Sequence, residues 1–258
     1  MFSNVMVTGG CGFIASNFLN IMKDKYPQIN FINVDKLDYC SNVENVNPGV
    51  ATLVKGDVGN RELIEHLIQI YSFDAVFHFA AQSHVDNSFN DAIQFTMDNT
   101  LATHVLIESC RKYIPNVEFI HFSTDEVYGE TIEEDPVKEE SGVLKPTNPY
   151  SASKAAAEMI VHSYIQSFNM NIKIIRCNNV YGPNQYPEKL IPKFKRLLLE
   201  GKKCTLHGTN SSNIKRAFMH VDDRPFNDKR YHICGNKLKA LGWSQTKTKD
   251  ELKKLLSK

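Results

Sequence analysis

The architecture follows from residues 5–15, whose sequence is VMVTGGCGFIA. A short apolar, β-branched run enters a glycine-rich turn, and a helical pattern begins directly after it. Glycines at positions 9 and 12 permit a tight turn that brings the backbone close to a pyrophosphate at the positive end of the helix. The run therefore predicts a dinucleotide site in a strand, turn and helix unit. The residues assigned to the cofactor here are Gly9, Gly12, Phe13 and Ile14.

A second cofactor signal lies at the end of the next strand-like run, where Asp35 occupies the position expected of a ribose-binding carboxylate. Its charge would repel a 2′-phosphate, which favours NAD over NADP, although the neighbouring Lys36 weakens that discrimination. The alternative is a pair of surface turns and a solvated aspartate. The order of strand, glycines and carboxylate favours the cofactor, and we assign both Asp35 and Lys36 to it.

Two later strand ends add further cofactor candidates. Asp57 and Val58 close the third predicted strand, where the carboxylate either faces an adenine amino group or caps the next helix. Ala80 and Ala81 close the fourth, and their small side chains would let a flat cofactor pass near the backbone. Ser83 and His84 follow and are assigned to the substrate, with a tight turn as the alternative for His84.

Short apolar runs alternate with helical patterns along most of the chain. The strand-like runs are 4–8, 30–35, 51–55, 74–80, 117–123 and 172–177, and the helical ones include 12–25, 60–71, 91–113 and 150–168. This alternation predicts an α/β fold with a Rossmann-type, doubly wound parallel sheet. Beyond Asn178 the pattern breaks up. We therefore expect an NAD-binding domain with the catalytic residues at 1–177 and a smaller substrate-binding lobe at 178–258.

Composition narrows the functional class. The chain has 258 residues, 42% of them hydrophobic, and a formal net charge of +1, so neither nucleic acid nor an anionic membrane surface is favoured as a partner. The first strand begins almost at Met1 and no apolar run approaches ~18 residues, so we expect no signal peptide, no membrane span and a cytoplasmic location. The six cysteines lack a C-x-x-C pair, and neither a disulfide framework nor a metal site is predicted.

The chemistry is indicated by two neighbouring motifs. The run 123–126 is Ser-Thr-Asp-Glu, and Tyr150 is followed four residues later by Lys154. The Tyr-x-x-x-Lys spacing occurs by chance in a chain of this composition, but i and i+4 share one helix face, and here it follows a cofactor motif. Lys154, assisted by the charge of the nicotinamide, would lower the pKa of Tyr150 from its ordinary value of ~10 so that the tyrosine acts as a base. Thr124 would hydrogen-bond the reacting hydroxyl, and we assign Tyr150 and Lys154 to the cofactor as well.

Together these residues resemble the extended short-chain dehydrogenase/reductases, and within them the nucleoside-diphosphate-glucose 4,6-dehydratases. The resemblance covers essentially the whole chain. It rests on TGGCGFIA at 8–15, DKLDYCSN at 35–42, HFAAQSHVDNS at 78–88, STDEVYGE at 123–130, NPYSASKAAAE at 148–158 and NNVYGPNQYPEKLIPKF at 178–194. The GDP-mannose dehydratases resemble it less. The Thr-Asp-Glu run separates this subfamily from sugar 4-epimerases, which usually lack the acidic pair.

The resemblance implies a reaction and a role for each residue. Tyr150 takes the proton from the carbon 4 hydroxyl while NAD takes the hydride, Glu126 removes the carbon 5 proton, Asp125 protonates the leaving hydroxyl of carbon 6, and the hydride returns to carbon 6. Adjacent strand residues face opposite sides, so both carboxylates reach one hexose only if the strand ends near Ser123. Two carboxyls in one pocket would keep a proton on Asp125.

The nucleotide-sugar end is placed by family positions in the later segment. The residues assigned to it are Asn179, Lys189, Leu190 and Arg216. UDP-glucose is the first choice and dTDP-glucose the second, because DKLDYCSN, HVDNSF and RPFNDKRY resemble eukaryotic rhamnose-synthase dehydratase domains. In the family, further elements separate a run like 218–223 from Arg-Pro-x-x-Asp-x-Arg-Tyr, whereas here Asp223 meets Arg224 directly. We expect the lobe to be incomplete between these two residues.

Two other functional classes stay open. A nucleotide-sugar 4-epimerase would share NAD, Tyr150 and Lys154 but would not depend on Asp125 and Glu126. A non-enzymatic dinucleotide sensor would retain the glycines and discard the catalytic pair. The resemblance also implies a homodimer, in which helices 91–113 and 150–168 pair across a two-fold axis.

Overall fold

The computed structural model describes residues 2–131, 137–207, 218–221, 233–242 and 244. Its centre is a parallel sheet of six strands in the order β3-β2-β1-β4-β5-β6. The strands are β1 (Asn4–Thr8), β2 (Asn30–Asp35), β3 (Thr52–Lys55), β4 (Ala75–His78), β5 (Glu118–Thr124) and β6 (Ile172–Cys177). The predicted doubly wound fold is confirmed. The strand order reverses between β1 and β4, and in such sheets ligands bind beyond the carboxyl ends of the strands at that point.

Helices accompany the strands. They are α1 (Phe13–Lys25), α2 (Arg61–Tyr71), α3 (Val85–Asn90), α4 (Ala92–Phe95), α5 (Ala102–Tyr113) and α6 (Pro149–Phe168). A π-helical turn, Thr96–Leu101, joins α4 to α5, and single 3-10 turns lie at Val43–Asn45 and Asp125–Tyr128. None of the helices in the described part of the chain combines the length and apolar character that a membrane crossing requires.

Apolar residues on both faces of the sheet hold the helices. Along β1, Met6 belongs to the cluster that packs against α2, α5 and α6, whereas Val5 and Val7 belong to the cluster around Leu19 of α1. Successive strand residues point to opposite faces, so one strand contributes to both cores. This two-sided burial explains why the strand sequences are near-continuous apolar runs, as is usual for parallel sheets.

The expected single helix over 91–113 is wrong in detail. Asp91 caps a new helix start by accepting a hydrogen bond from the Gln94 backbone, and the next residues pass through the π-helical turn before regular helix resumes. A π turn contains one more residue than an α turn, which changes the direction of the side chains that follow. Here it turns Asn99 toward Gln82 and Ser153, and those contacts hold the turn.

The C-terminal part is described in pieces. They comprise α7 (Leu190–Leu199), the parallel pair β7 (Cys204–His207) and β8 (Phe218–Val221), and α8 (Asn236–Ala240). The proposed boundary at 177/178 stays a prediction. Arg216 and the junction between Asp223 and Arg224 lie outside the described residues, so the expected gap in the lobe also stays a prediction.

Candidate active site

The glycine turn after β1 forms one wall of a cleft at the carboxyl edge of the sheet. Gly9 has a φ of 70°, and a Cβ added there would lie 2.8 Å from the Cα of Ala80. Both the left-handed backbone and this close approach require glycine. Gly12, Phe13, Ile14 and Ala81 line the same cleft. The four predicted glycine-turn residues and the two alanines are therefore brought together.

Asp35 holds this wall in place. Its carboxylate is buried and accepts hydrogen bonds from the backbone of Cys11 at 2.9 Å, the backbone of Leu37 at 2.8 Å and the hydroxyl of Ser41 at 3.1 Å. The side chain also lines the cleft. One carboxylate thus fixes the glycine turn and the loop after β2.

Asp57 and Val58 line the cleft as expected, but one alternative for Asp57 is wrong. Asn60, rather than Asp57, caps α2 by accepting a hydrogen bond from the backbone of Leu63. The Asp57 carboxylate instead accepts a 2.7 Å hydrogen bond from the backbone of Gly59. Its proposed contact with adenine stays a prediction.

The acidic pair lies where β5 ends. The strand runs to Thr124 and a 3-10 turn follows, which confirms that regular strand ends near Ser123. The Thr124 hydroxyl caps this turn by accepting from the Glu126 backbone at 3.3 Å. Because strand alternation ends here, Thr124, Asp125 and Glu126 all line one cleft.

The two carboxyl groups have different surroundings. Asp125 is buried, and its Oδ2 has no hydrogen-bond partner among the described residues. Burial, reinforced by the charge of Glu126, raises the pKa of Asp125 to about 6. Glu126 accepts a hydrogen bond from the Asn148 side-chain amide at 3.1 Å. The raised pKa of Asp125 favours its protonated form, as the acid of an acid and base pair needs.

Tyr150 and Lys154 lie on the first turns of α6, which Asn148 caps. Both are buried and line the cleft with the acidic pair. The Lys154 ammonium donates a 2.6 Å hydrogen bond to the Phe122 carbonyl of β5, and burial lowers the pKa of Lys154 to about 8. The helix thus presents a phenol and an ammonium to the end of β5.

The protein's own groups raise the pKa of Tyr150, so the expected lowering by Lys154 and a nicotinamide charge stays a prediction. Burial, with the charge of Glu126 adding to it, raises the pKa of Tyr150 well above its ordinary value. A hydrogen bond with Thr124 opposes this rise. Burial of the phenol is the largest cause of this rise in pKa. Tyr150 is neutral until further positive charge enters the cleft.

The sequence model of a protein family described as GDP-mannose 4,6 dehydratase matches residues 6–226. The chain belongs to this family. The trifunctional UDP-glucose 4,6-dehydratase/UDP-4-keto-6-deoxy-D-glucose 3,5-epimerase/UDP-4-keto-L-rhamnose-reductase of Arabidopsis thaliana is 41% identical, over 98% of this chain and 46% of that protein. The bovine dTDP-D-glucose 4,6-dehydratase is 37% identical, over 93% of this chain and 83% of that protein. These relatives confirm the resemblance to nucleoside-diphosphate-glucose 4,6-dehydratases.

A solved structure agrees with this placement. The dTDP-glucose 4,6-dehydratase DesIV of Streptomyces venezuelae, with NAD and TYD bound, matches with a TM-score of 0.89 and 30% identity, covering 98% of this chain and 96% of that one. The chain spans about half the length of the plant relatives it matches. The alignment with the first of these extends over 309 positions, more than the 258 residues here, so that relative has segments without a counterpart.

The candidate substrate residues of this dehydratase-family chain divide into three groups. Ser83, Asn179 and Lys189 line the cleft, and the Lys189 ammonium donates a 2.6 Å hydrogen bond to the Ser83 carbonyl. His84 and Leu190 do not line it: the His84 Nδ1 lies 3.5 Å from a carboxylate oxygen of Glu188, and Leu190 is 66% exposed. Arg216 is outside the described residues.

Several cleft residues were not predicted from the sequence. They include Asp38, Gln82, Asp98, Cys177 and Glu188. Asn148 was missed as well, although an asparagine directly before Pro149 and a helical pattern is a recognisable cap. Asp98 and Gln82 carried no signal of this kind, because their place in the cleft depends on the π-helical turn.

Among the described residues, no group of three or more histidine, cysteine, aspartate or glutamate side chains is arranged to bind a metal ion. All six cysteines are free.

Proposed function

We propose that this chain is an NAD-dependent hydro-lyase, a nucleoside-diphosphate-glucose 4,6-dehydratase that forms a 4-keto-6-deoxy sugar. The observation that carries the proposal is that Asp125 and Glu126 share one cleft with Tyr150 and Lys154. The tyrosine and lysine suit oxidation of a hydroxyl, and the acidic pair suits elimination of water. The names of the relatives and of the matched structure, and the family of the chain, support the same reaction.

The cofactor site fits NAD. We assign the turn of Gly9 and Gly12 to a pyrophosphate and Asp35 to a ribose, and Ala80 and Ala81 leave room beside the backbone. When bound, NAD supplies a hydride acceptor and a positively charged nicotinamide ring. We assign Phe13, Ile14, Lys36, Asp57 and Val58 to the same site, on their place in the cleft.

Tyr150 is the proposed base toward the carbon 4 hydroxyl. Because burial raises the pKa of Tyr150, its deprotonation depends on positive charge in the cleft, part of which the Lys154 ammonium would provide. Thr124 is the proposed hydrogen-bond partner of the same hydroxyl. Base catalysis is thereby coupled to cofactor binding, because phenolate forms only in the occupied site.

The acidic pair performs the proposed elimination. A ketone at carbon 4 acidifies the carbon 5 hydrogen, which Glu126 removes as a base. Asp125 then protonates the hydroxyl that leaves carbon 6 as water. Glu126 returns a proton to carbon 5 when carbon 6 receives the hydride that was taken from carbon 4. The pKa of about 6 on Asp125 keeps a fraction of this group protonated near neutrality, and exclusion of water on substrate binding would raise that fraction.

The substrate is proposed to be UDP-glucose, with dTDP-glucose as the second choice. The plant relative is named for UDP-glucose, and the bovine relative and the matched structure are named for dTDP-glucose. Ser83, Asn179 and Lys189 are proposed to contact the hexose or the diphosphate, because they line the same cleft as the catalytic pair. His84, Leu190 and Arg216 remain assigned to it from family positions. A role in rhamnose biosynthesis is proposed from the name of the plant relative.

A homodimer and a cytoplasmic location complete the proposal. Exposed apolar side chains follow one another along the helical run 92–113 at Ile93, Met97 and Leu101, and Met159 of α6 is also exposed. A second copy that presents the same residues would cover them across a two-fold axis. The six free cysteines agree with a reducing compartment.

The test is incubation of the purified chain with NAD and either UDP-glucose or dTDP-glucose, followed by alkali-induced absorbance of a 4-keto sugar. We expect a keto product from at least one sugar. Absence of this product from both, with a 4-epimer in its place, would overturn the dehydratase proposal in favour of the epimerase. Absence of any turnover, with NAD bound, would favour the non-enzymatic sensor.

A further inference from the structure

Lys36 occupies the position that should decide between NAD and NADP. It directly follows Asp35 at the end of β2, and both residues line the cleft. A 2′-phosphate on the adenosine ribose would extend toward this point. Of the three lysines among the described cleft residues, Lys36, Lys154 and Lys189, it is the one adjacent in sequence to Asp35. An accessible ammonium here would favour NADP, because a phosphate dianion needs a cationic partner.

The ammonium is already paired. Its Nζ lies 2.7 Å from the Asp98 carboxylate and 3.2 Å from the Asp38 carboxylate. Partial burial alone would lower the pKa of Lys36, but the hydrogen bonds and charges of these two carboxylates raise it. The local charge around Lys36 is therefore negative rather than positive.

The geometry of Asp98 is fixed by its neighbours. It lies in the π-helical turn, and its side chain accepts hydrogen bonds from the amides of Gln82 at 3.0 Å and Gln94 at 3.0 Å. The Gln82 amide also donates to Asp38 at 2.7 Å. The two carboxylates are thus held on either side of one amide, and their positions do not depend on a bound ligand.

We infer that Asp98, together with Asp38, makes the cofactor site selective for NAD by occupying the Lys36 ammonium and surrounding it with negative charge. A 2′-phosphate would have to displace one of these carboxylates and would face both of them together with Asp35. The inference rests on the proposed NAD-dependent function. It assigns the discrimination to a residue more than sixty positions from the β2 motif in the sequence.

The test is calorimetric titration of the full chain, freed of bound nucleotide, with NAD and with NADP. We expect Asp98→Asn to raise the affinity for NADP relative to NAD by about tenfold, and Asp38→Asn/Asp98→Asn to raise it further. Gln82 donates to one oxygen of the Asp98 carboxylate and Gln94 to the other, so the single side-chain carbonyl of asparagine can keep one of these two hydrogen bonds. An unchanged affinity of the variant for NAD would show that the turn is retained. In the control variant Lys36→Met/Asp98→Asn, the ratio should return toward the wild-type value.

The outcomes separate this inference from the proposed function. The inference would be overturned if the ratio of NADP affinity to NAD affinity changed less than about twofold in both Asp98→Asn and Asp38→Asn/Asp98→Asn. It would also be overturned if the relative gain in NADP affinity persisted in Lys36→Met/Asp98→Asn. If Asp98 had a purely structural role, Asp98→Asn would weaken the binding of NAD and of NADP to the same extent and leave the ratio of the two affinities unchanged. If the wild-type chain binds NAD tightly and only the affinity ratio of the variants is unchanged, the inference is wrong and the proposed function is retained. If the wild-type chain binds neither nucleotide, the inference and the proposed function are both wrong.

Discussion

The Asn148 side-chain amide donates a 3.1 Å hydrogen bond to Glu126 Oε2, and its carbonyl oxygen accepts a 2.9 Å hydrogen bond from the Ser151 backbone. One side chain thus caps the helix that carries Tyr150 and Lys154 and also contacts the acidic turn after β5. The geometry of the redox pair and that of the elimination pair are therefore coupled through Asn148.

Replacement of Asn148 separates these two roles. Asn148→Ser retains a capping side chain but is too short to reach Glu126, so we expect near-wild-type stability and turnover reduced by about tenfold. Asn148→Ala removes the cap as well and should cost about 1 kcal/mol of unfolding free energy. Urea unfolding and steady-state turnover measure the two effects. Full turnover in the serine variant would refute the proposed coupling.

Tyr150→Phe should reduce turnover by about 10²–10⁴-fold, because it removes the proposed base without changing the shape of the side chain. The affinity for NAD, measured by calorimetry, should change little. Tyr164→Phe is a matched control on the same helix, since Tyr164 is also buried but bonds to Glu108 outside the cleft. The control should retain turnover. If Tyr150→Phe and Tyr164→Phe lost activity equally, the loss would be caused by reduced stability of α6 and the proposed role of Tyr150 would be contradicted.

Glu126→Gln should stop elimination after oxidation. The amide keeps the size of the side chain and its contact with Asn148 but cannot accept the carbon 5 proton. In deuterated water, we expect incorporation of deuterium at carbon 5 to fall at least about 10²-fold, as measured by mass spectrometry of the sugar. Glu62→Gln on the exposed start of α2 is the matched control. If Glu126→Gln incorporated deuterium at carbon 5 at the wild-type rate, another residue would be the base that removes the carbon 5 proton.

Asp125→Asn should stabilise the protein in a pH-dependent manner. Folding raises the pKa of Asp125 from 3.8 to about 6, so the folded chain binds more protons between these values and its stability falls as the pH rises through that window. The variant lacks this penalty. We expect it to be about 1–3 kcal/mol more stable than wild type at pH 7 and equally stable below about pH 4. Urea unfolding at the two pH values provides the comparison, and an equal difference at both would contradict it.

The strands could be predicted closely from the sequence, because residues such as Val5, Met6 and Val7 are buried on both faces of the sheet and leave a continuous apolar run. The π-helical turn could not, since it depends on contacts of Asn99 with Gln82 and Ser153 that are distant in sequence. The helix propensity of neighbouring residues does not reflect contacts with residues that are distant in sequence.

The catalytic residues could be located from their motifs, but their electrostatics could not. The i and i+4 spacing placed Lys154 near Tyr150, yet the pKa of the tyrosine is governed mainly by burial, which spacing does not measure. Asp98 was missed for a related reason. Its function as the partner of Lys36 requires the fold to bring the end of β2 against the helical run after α4.

The proposed function requires that one sugar is oxidised at carbon 4 and reduced at carbon 6 within a single cleft. The most direct measurement uses UDP-glucose or dTDP-glucose carrying deuterium on carbon 4, with NMR analysis of the product. We expect a 4-keto-6-deoxy sugar with the deuterium on carbon 6. A 4-epimer that keeps the deuterium on carbon 4, with no 6-deoxy product, would contradict the proposed function.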